Sequence, residues 1–240
     1  MAYVFPRPAQ YYGKVVKKEY LNNKTIKLDI VSEKPEKFFF FPGQFINLKV
    51  NQFVYRPYSI ASYIDRLPII SIILTVAHEG LGSNYVKSLN IGDPVSFIGP
   101  SGRFVLPDEL YKYLLFLVTG TGLAPILPML QQLTELKTNS EIELYVGFKN
   151  EDDIFEESFL KSCESKLKNF KYHICISQPS QIWAGFQGRI TDFYKIIDIE
   201  NTQCFICGNP EMVTEVIERL KLMGINKTRI FHEKFVLFGK

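Results

Sequence analysis

Near residue 108 the hydrophobic rhythm of this chain changes, and the change decides what it can become. Before that point, short apolar runs of strand length are separated by turn residues. They lie at Tyr11–Tyr20, Thr25–Ile30, Phe45–Val50, Tyr55–Ala61, Ile69–Val76 and Val95–Ile98. Six short strands without long helices predict a closed antiparallel β-barrel. One helix-like piece, Ser83–Leu89, interrupts the series. From Tyr113 onward strands and helices take turns. Strand patterns at Tyr113–Val118, Glu141–Gly147, Phe170–Ser177, Thr202–Cys207 and Arg229–Phe235 alternate with helical patterns at Leu123–Leu136, Glu156–Leu167, Ile190–Ile197 and Glu211–Met223. Such alternation predicts a five-stranded parallel sheet covered on both faces. The expected organisation is therefore a six-stranded antiparallel β-barrel over residues 1–108, followed by an α/β unit over residues 109–240.

Composition removes several classes of function. With 46% apolar and 22% charged residues the chain is neither disordered nor collagen-like. An excess of 28 basic over 25 acidic residues is too small to make a nucleic-acid groove. The longest apolar stretch, Ile69–Ala77, is interrupted by Ser71 and Thr75 and is far too short for a membrane span. Met-Ala-Tyr-Val-Phe-Pro-Arg-Pro at the start does not read as a secretory signal. Cys163, Cys175, Cys204 and Cys207 form no paired framework, and His78, His173 and His232 are far apart, so no metal site is expected. A reducing, cytoplasmic setting is the expectation.

The second region opens with Val118-Thr119-Gly120-Thr121-Gly122-Leu123-Ala124-Pro125. A buried strand running through Gly-x-Gly into a helix suits a diphosphate, because glycine admits close approach and a helix N-terminus offers free N–H groups. Pro125 fits a first helical turn, where its missing N–H costs nothing. Pro125 also stands where a Rossmann fingerprint would carry its third glycine. Glu141, at about the spacing of the ribose-reading acid, begins its strand instead of ending it.

In the first region, Tyr55-Arg56-Pro57-Tyr58-Ser59-Ile60-Ala61-Ser62 places Arg56, Tyr58 and Ile60 on one strand face, with Ser59 and Ala61 on the other. Arg beside Tyr suits a ligand with a phosphate and a flat ring, though an ordinary barrel strand with an exposed Arg reads the same way. Gly80-Leu81-Gly82-Ser83 is a second glycine-rich entry to a helix, with a hydroxyl at the cap. Two phosphate cradles in two regions suggest two nucleotide-like ligands. Cys204 and Cys207, three apart on a strand, point to opposite faces and cannot bond. Cys207 precedes Gly208-Asn209-Pro210 at the edge where α/β sheets bind ligands.

Together these segments resemble the ferredoxin–NADP reductase family over nearly the whole chain. Arg56-Pro57-Tyr58-Ser59 and Gly80–Ser83 are similar to its flavin motifs, and Gly99-Pro100-Ser101-Gly102-Arg103-Phe104 to the stretch closing its barrel. Gly120–Pro125 and Cys207-Gly208-Asn209-Pro210-Glu211-Met212 are similar to its nicotinamide-nucleotide motifs. The resemblance implies a two-domain reductase holding FAD and oxidising NAD(P)H, with the nicotinamide meeting the flavin between the domains. It implies that Arg56 holds the FAD diphosphate, Tyr58 packs on the isoalloxazine, Ser59 bonds near flavin N5, and Gly80, Gly82 and Ser83 bind phosphate. Thr119, Gly120, Thr121 and Gly122 would line the coenzyme diphosphate path, with Gly208, Asn209 and Pro210 beside it. Cys207 and Glu233 would stand at the nicotinamide, so that Ser59, Cys207 and Glu233 form the catalytic group. Phe235 or Phe238 would cover the flavin. Lys149, Gln178 and Arg189 would meet the coenzyme's 2′ end, with NADP(H) slightly preferred over NAD(H).

The implied electron acceptor is a small protein, a ferredoxin or flavodoxin. Lys14, Lys17 and Lys18 could dock an acidic partner or form a solvated strand face. An NAD(P)H:flavin reductase and an electron-transfer subunit of a larger complex are the alternatives.

Overall fold

The computed structural model describes residues 4–235 and divides the chain into two compact units. Among the described residues, the first runs to Asp108 and takes in Ala124–Gln132; the second comprises Glu109–Leu123 and residues 133–235.

Six strands build the first unit: β1 (Ala9–Asn22), β2 (Thr25–Lys34), β3 (Phe45–Lys49), β4 (Tyr55–Ser59), β5 (Ile69–Thr75) and β6 (Pro94–Ser101), with helix α1 (Leu81–Ser88) between the last two. All pairings are antiparallel, in the order β4-β3-β6-β1-β2-β5. A bridge between Ile60 and Ile72 then joins the two ends of that order and closes the barrel. At this seam the Ala61 N–H donates to Ser71 O (2.8 Å). The interior alternates as period-two strands require, with Ile26, Leu28, Ile30, Ile46, Leu48, Ile70, Ile72 and Phe97 buried. Aromatic rings fill part of this interior: Tyr11 stacks on Phe97 at 5.3 Å, and both meet Phe38 edge-on.

The second unit holds β7 (Tyr113–Thr119), β8 (Glu141–Phe148), α3 (Glu157–Lys166), β9 (Phe170–Ile176), β10 (Phe186–Gln187), β11 (Thr202–Gly208), α4 (Pro210–Leu222) and β12 (Ile230–Lys234), while helix α2 (Ile126–Leu136), which follows β7 in the chain, belongs to the first unit as far as Gln132. The sheet is parallel throughout, in the order β10-β9-β8-β7-β11-β12. Helix α3 lies against β9, and α4 against β11 and β12. The chain winds outward from β7 to β9 and then returns to the other side at β11, so the strand order reverses between β7 and β11. Register puts Phe116, Phe205 and Phe231 side by side on three adjacent strands, and their rings stack at 4.8 and 5.0 Å. That spacing is the strand spacing itself.

Four expectations need correction. The sheet has six strands, because the two-residue β10, exposed and too short to show a period, adds to β9 at Cys175 and Ile176. Helix α2 starts at Ile126, while Gly120–Leu123 makes a 3-10 turn. Proline disfavours the α conformation in the residue before it, so Pro125 holds Ala124 out of the helix. Helix α1 begins at Leu81, two residues early, with Gly80 as its N-cap. Ile190–Ile197 is helical only over Ile190–Asp192, where the Asp192 carboxylate accepts the Arg189 N–H (2.9 Å) and holds a single turn. Ile190, Phe193, Tyr194 and Ile196 still pack on the core around Leu117 and Cys204, so the apolar spacing reports burial without a helix. Among the described residues, no helix is long and apolar enough to cross a membrane.

One polar cluster ties the connection between β4 and β5 to the neighbouring β2–β5 pair. Asp29, only 3% exposed, accepts from Ser71 Oγ (2.7 Å) and pairs with Arg66 (2.9 Å), which also donates to Ser71 Oγ at 3.1 Å. Asp29→Ala strips the charge-assisted acceptor from both partners and is expected to cost about 2 kcal/mol. A urea midpoint equal to that of the wild type would refute this role.

Candidate functional site

Strand β4 presents Arg56 and Tyr58 on one face, and α1 brings a glycine against both. A Cβ added at Gly82 would collide with the Tyr58 hydroxyl and lie 3.4 Å from Arg56 Cγ. No side chain caps the first turn of α1, so Gly80–Ser83 leaves a positive helix end with unclaimed donors next to a guanidinium. Burial pushes the Tyr58 phenol up to about 12, against the opposing pull of Arg56, so the ring stays neutral at physiological pH. Ser59, buried, lies opposite Phe45 across β3, and Pro57 is exposed. Ser83 is not the cap: its hydroxyl donates to Thr75 O at 3.3 Å and ties α1 to β5. A Cβ at Gly80 would meet nothing within 4 Å, so the turn opens onto free space. Ser62, at 1% exposure, has an Oγ without a hydrogen-bond partner, three residues beyond Ser59. Buried orphans of this kind are rare and point to a missing partner.

The helix is also anchored at its far end. Lys18 Nζ donates to Lys87 O (2.6 Å) and Leu89 O (2.8 Å), satisfying carbonyls of the last turn. Lys14 pairs with Glu33 and Lys17 with Glu19, both at 2.6 Å. The three lysines are thus engaged within the unit, which favours the solvated strand face over a docking patch.

In the second unit the turns that end β7 and β11 meet backbone to backbone. A Cβ at Gly122 would lie 2.7 Å from the Cys207 carbonyl carbon and 2.8 Å from Gly208 Cα. Gly208, at φ +132°, would put its Cβ 2.7 Å from Thr119 O. Thr119 Oγ1 in turn accepts the Asn209 N–H at 3.0 Å. Asn209 caps α4, its side chain accepting from Glu211 N (2.8 Å) and Met212 N (3.3 Å), with Pro210 at the first helical position. Gly120 adopts φ +53°, and a Cβ there would meet nothing within 4 Å, so Gly120 and the half-buried Thr121 face an open crevice at the strand-order reversal. Open α/β sheets bind ligands at this kind of place.

Cys207 is fully buried, opposite Val118 on one side and Glu233 on the other. Burial first, and the Glu233 carboxylate second, raise its thiol well above the usual range and keep it protonated. All four cysteines are free. The half-buried Phe235 donates its N–H to Gly208 O at 3.2 Å, while Phe238 lies outside the described residues. Lys149, Gln178 and Arg189 are exposed at the carboxyl ends of β8, β9 and β10, and the Gln178 N–H donates to Lys149 O (2.8 Å). The structure thus gathers Arg56, Tyr58 and Gly82 in one unit. In the other it gathers Thr119, Gly122, Cys207, Gly208 and Glu233, with the 2′-end candidates along the same sheet edge.

Two family models match the chain: one described as an oxidoreductase FAD-binding domain over residues 12–106, the other as an oxidoreductase NAD-binding domain over residues 116–218. The chain is 31% identical over 231 residues to the toluate 1,2-dioxygenase electron transfer component of Pseudomonas putida, covering 95% of this chain and 68% of that one. It is 29% identical over 204 residues to one component of the Na(+)-translocating NADH-quinone reductase of Serratia proteamaculans, covering 78% of this chain and 50% of the relative. The chain thus spans between half and about two thirds of the length of these relatives. Among solved structures, an Amycolatopsis cytochrome P450 reductase superposes with a TM-score of 0.88 at 23% identity, over 97% of this chain and 71% of the other. A ferredoxin NADP+ reductase from Neisseria gonorrhoeae with bound FAD and NADP superposes with a TM-score of 0.82 at 21% identity, over 95% and 99%. Both share the fold.

The two crevice glycines are expected to behave differently. Gly120→Ala meets only a left-handed backbone cost of about 1–2 kcal/mol, whereas Gly208→Ala adds a collision with the backbone of Thr119. Unfolding midpoints should therefore fall further for Gly208→Ala; equal falls would contradict the interlock.

Proposed function

The chain belongs to the ferredoxin–NADP reductase family of FAD-dependent NAD(P)H oxidoreductases, and from that premise we propose that it takes hydride from NADPH into a tightly held FAD and delivers the electrons to a small acceptor protein, a ferredoxin or flavodoxin. The observation that carries this reading is the convergence of Arg56 and Tyr58 on Gly82 at the uncapped start of α1. A guanidinium, a neutral phenol and unclaimed helix donors around one glycine suit a flavin diphosphate and ring.

FAD, when bound, supplies the chemistry of accepting a hydride and releasing electrons onward. The protein's share is placement and electrostatics. Arg56 and the first turn of α1, with Gly80, Gly82 and Ser83, hold the diphosphate. Tyr58, with Pro57 beside it, gives the ring a flat neutral surface, and Ser59 supplies a buried hydroxyl to its polar edge. On the coenzyme side, Thr119 through Gly122 and Gly208 through Pro210 shape the diphosphate path. Cys207 stands at the nicotinamide as a neutral thiol, with Glu233 across from it, so no thiolate competes for a positively charged ring. Phe235 takes the role of ring cover.

NADPH is supported over NADH by Lys149 and Arg189, two exposed cations that form no ion pair among the described residues. A reducing, cytoplasmic setting is supported by the four free thiols. A second reading, the electron-transfer component of a larger oxygenase or quinone-reductase assembly, is favoured by the names of the relatives and by their greater length.

Anaerobic titration of the purified protein tests the reading. Flavin absorption that bleaches faster with NADPH than with NADH is the expected outcome. A colourless protein that oxidises NAD(P)H only with added free flavin is a flavin reductase instead. Faster bleaching by NADH would remove the role given to Lys149 and Arg189. Arg56→Ala should release flavin on gel filtration, and full retention counts against the diphosphate contact. Cys207→Ala should slow flavin reduction with FAD still bound. In the wild type, the reduction rate should show no step where an ordinary thiol ionises; an unchanged rate in the variant or such a step sinks the neutral-thiol role.

A further inference from the structure

We propose that Glu151 is a positioning residue for the pyridine coenzyme: by taking both donors of Ser180 it fastens the loop after β9 to the turn after β8 before anything binds, and so fixes how Lys149 and Gln178 stand to each other. The proposal rests on the coenzyme reading above and adds to it a residue outside the flavin and diphosphate motifs.

Two chain segments leave the carboxyl ends of the neighbouring strands β8 and β9. They are joined first at their base, where the Ser177 N–H donates to Phe148 O (3.1 Å) and the Gln178 N–H to Lys149 O (2.8 Å). Two residues further along each segment comes a second join. Glu151 Oε1 accepts the Ser180 N–H and the Ser180 hydroxyl, both at 2.7 Å. One join is a pivot about which two exposed segments can splay, whereas two joins set their spacing and direction. The exposed side chains of Lys149 and Gln178 then project from a fixed frame.

Glu151 is itself held. It opens a single turn, Glu151–Asp153, in which the Asp153 N–H donates to Asn150 O (3.1 Å) and the Asp153 carboxylate accepts the Asn150 N–H (3.3 Å). From Ser180 the constraint runs on toward β10. Ser180 O accepts the Trp183 N–H at 3.3 Å, Trp183 O accepts from Gln187 Nε2 at 2.9 Å, and Gly188, next to Arg189, donates its N–H to Ile176 O at 2.8 Å. The Ser180 hydroxyl first, with backbone N–H groups after it, holds the Glu151 carboxyl below its usual range. The acceptor is therefore ionised throughout the neutral range, and the clamp is lost only as pH falls through that lowered value.

No residue of 177–185 is buried, so the clamp shields no core and adds little to global stability. What it does is order an exposed loop during folding, so that a ligand need not meet that entropy cost on binding. Location gives the ligand. A dinucleotide with its diphosphate at the Gly120 turn of β7, and its nicotinamide toward β11, extends its adenosine half across β8 toward β9. The clamp lies on that side of the sheet edge.

Trp183, the single tryptophan, stands three residues beyond Ser180 and reports on the loop without coenzyme or turnover. In the FAD-loaded protein, Glu151→Ala should raise KM for the coenzyme that bleaches the flavin faster, and Kd for its oxidised form by calorimetry, about tenfold with kcat unchanged. Acrylamide should quench Trp183 more strongly in that variant before any coenzyme is added. Ser180→Ala, which keeps the charge of the acid and removes one donor, should give a smaller rise. The double variant should be no weaker than Glu151→Ala alone, because the two residues make one contact. Glu151→Gln, which keeps an acceptor oxygen without the charge, should restore most of the affinity. Unchanged coenzyme affinity in Glu151→Ala and Ser180→Ala overturns the clamp and leaves the coenzyme reading standing. So does a Glu151→Gln as weak as Glu151→Ala beside a silent Ser180→Ala, which assigns the effect to charge alone. A flavin that neither NADPH nor NADH bleaches, in a protein that binds neither oxidised coenzyme, overturns both.

Discussion

Two stretches of main chain can touch only where neither carries a side chain between them, and the second unit is organised around such a contact. The turn after β7 comes down on the turn after β11, with Gly122 over the Cys207 carbonyl and Gly208 against the backbone of Thr119. The Thr119 hydroxyl closes the join by accepting the Asn209 N–H, and Asn209 then starts α4. Register carries the consequence inward. Because β11 lies between β7 and β12, Cys207 is enclosed by Val118 and Glu233 at the point where it reaches the crevice. Its neutral thiol is therefore a product of sheet order and glycine placement more than of any group designed to protonate it.

The barrel solves a related problem differently. Arg56 and Tyr58 can be presented together only if β4 is fixed, and β4 is an end strand in the sheet order. The Ile60–Ile72 bridge limits that freedom, and Arg66, on the connection that leads from β4 to β5, is held by Asp29 beside Ser71 of the β2–β5 pair. Arg66 keeps 35% of its side chain exposed, so solvent screens much of the Coulomb attraction. What the cluster contributes is mainly satisfied hydrogen bonding around a buried carboxylate, which is costly to leave alone. The helix facing β4 is tied at one end through Ser83 and at the other through Lys18.

Much of this is legible in the sequence because strand periodicity and glycine punctuation are local. All six barrel strands and the five longer parallel strands lie where the apolar rhythm places them. The departures share a cause: they depend on partners far along the chain or on one local competitor. Pro125 delays α2 through its effect on Ala124, and a helix read from apolar spacing alone starts too early. Ile190–Ile197 has a helix's spacing, yet the Asp192 carboxylate claims the Arg189 N–H and the rest packs as irregular chain. Strand β10 exists only because β9 is beside it. Lys14, Lys17 and Lys18 read as a basic face, but Glu33, Glu19 and the carbonyls ending α1 claim them. Trp183 stands out in the sequence only as a lone tryptophan, since the bonds that hold its ring come from residues of a loop with no period.

If a dinucleotide binds along the sheet edge as proposed, the geometry of that edge gives it a division of labour. At β11 and β12 the groups are buried and uncharged or half-buried, as a reacting ring that must be shielded from water requires. At β8, β9 and β10 they are exposed, Lys149 and Arg189 charged and Gln178 a neutral amide, which suits recognition of phosphate and hydroxyl groups that stay hydrated. Interactions at the exposed end are made equally before and during reaction, so they set how tightly the coenzyme is held. Interactions at the buried end can differ between ground and transition state, so they set how fast it reacts. Substitutions along this edge should therefore separate by strand: those beyond β8 and β9 through affinity, those beside Cys207 through rate.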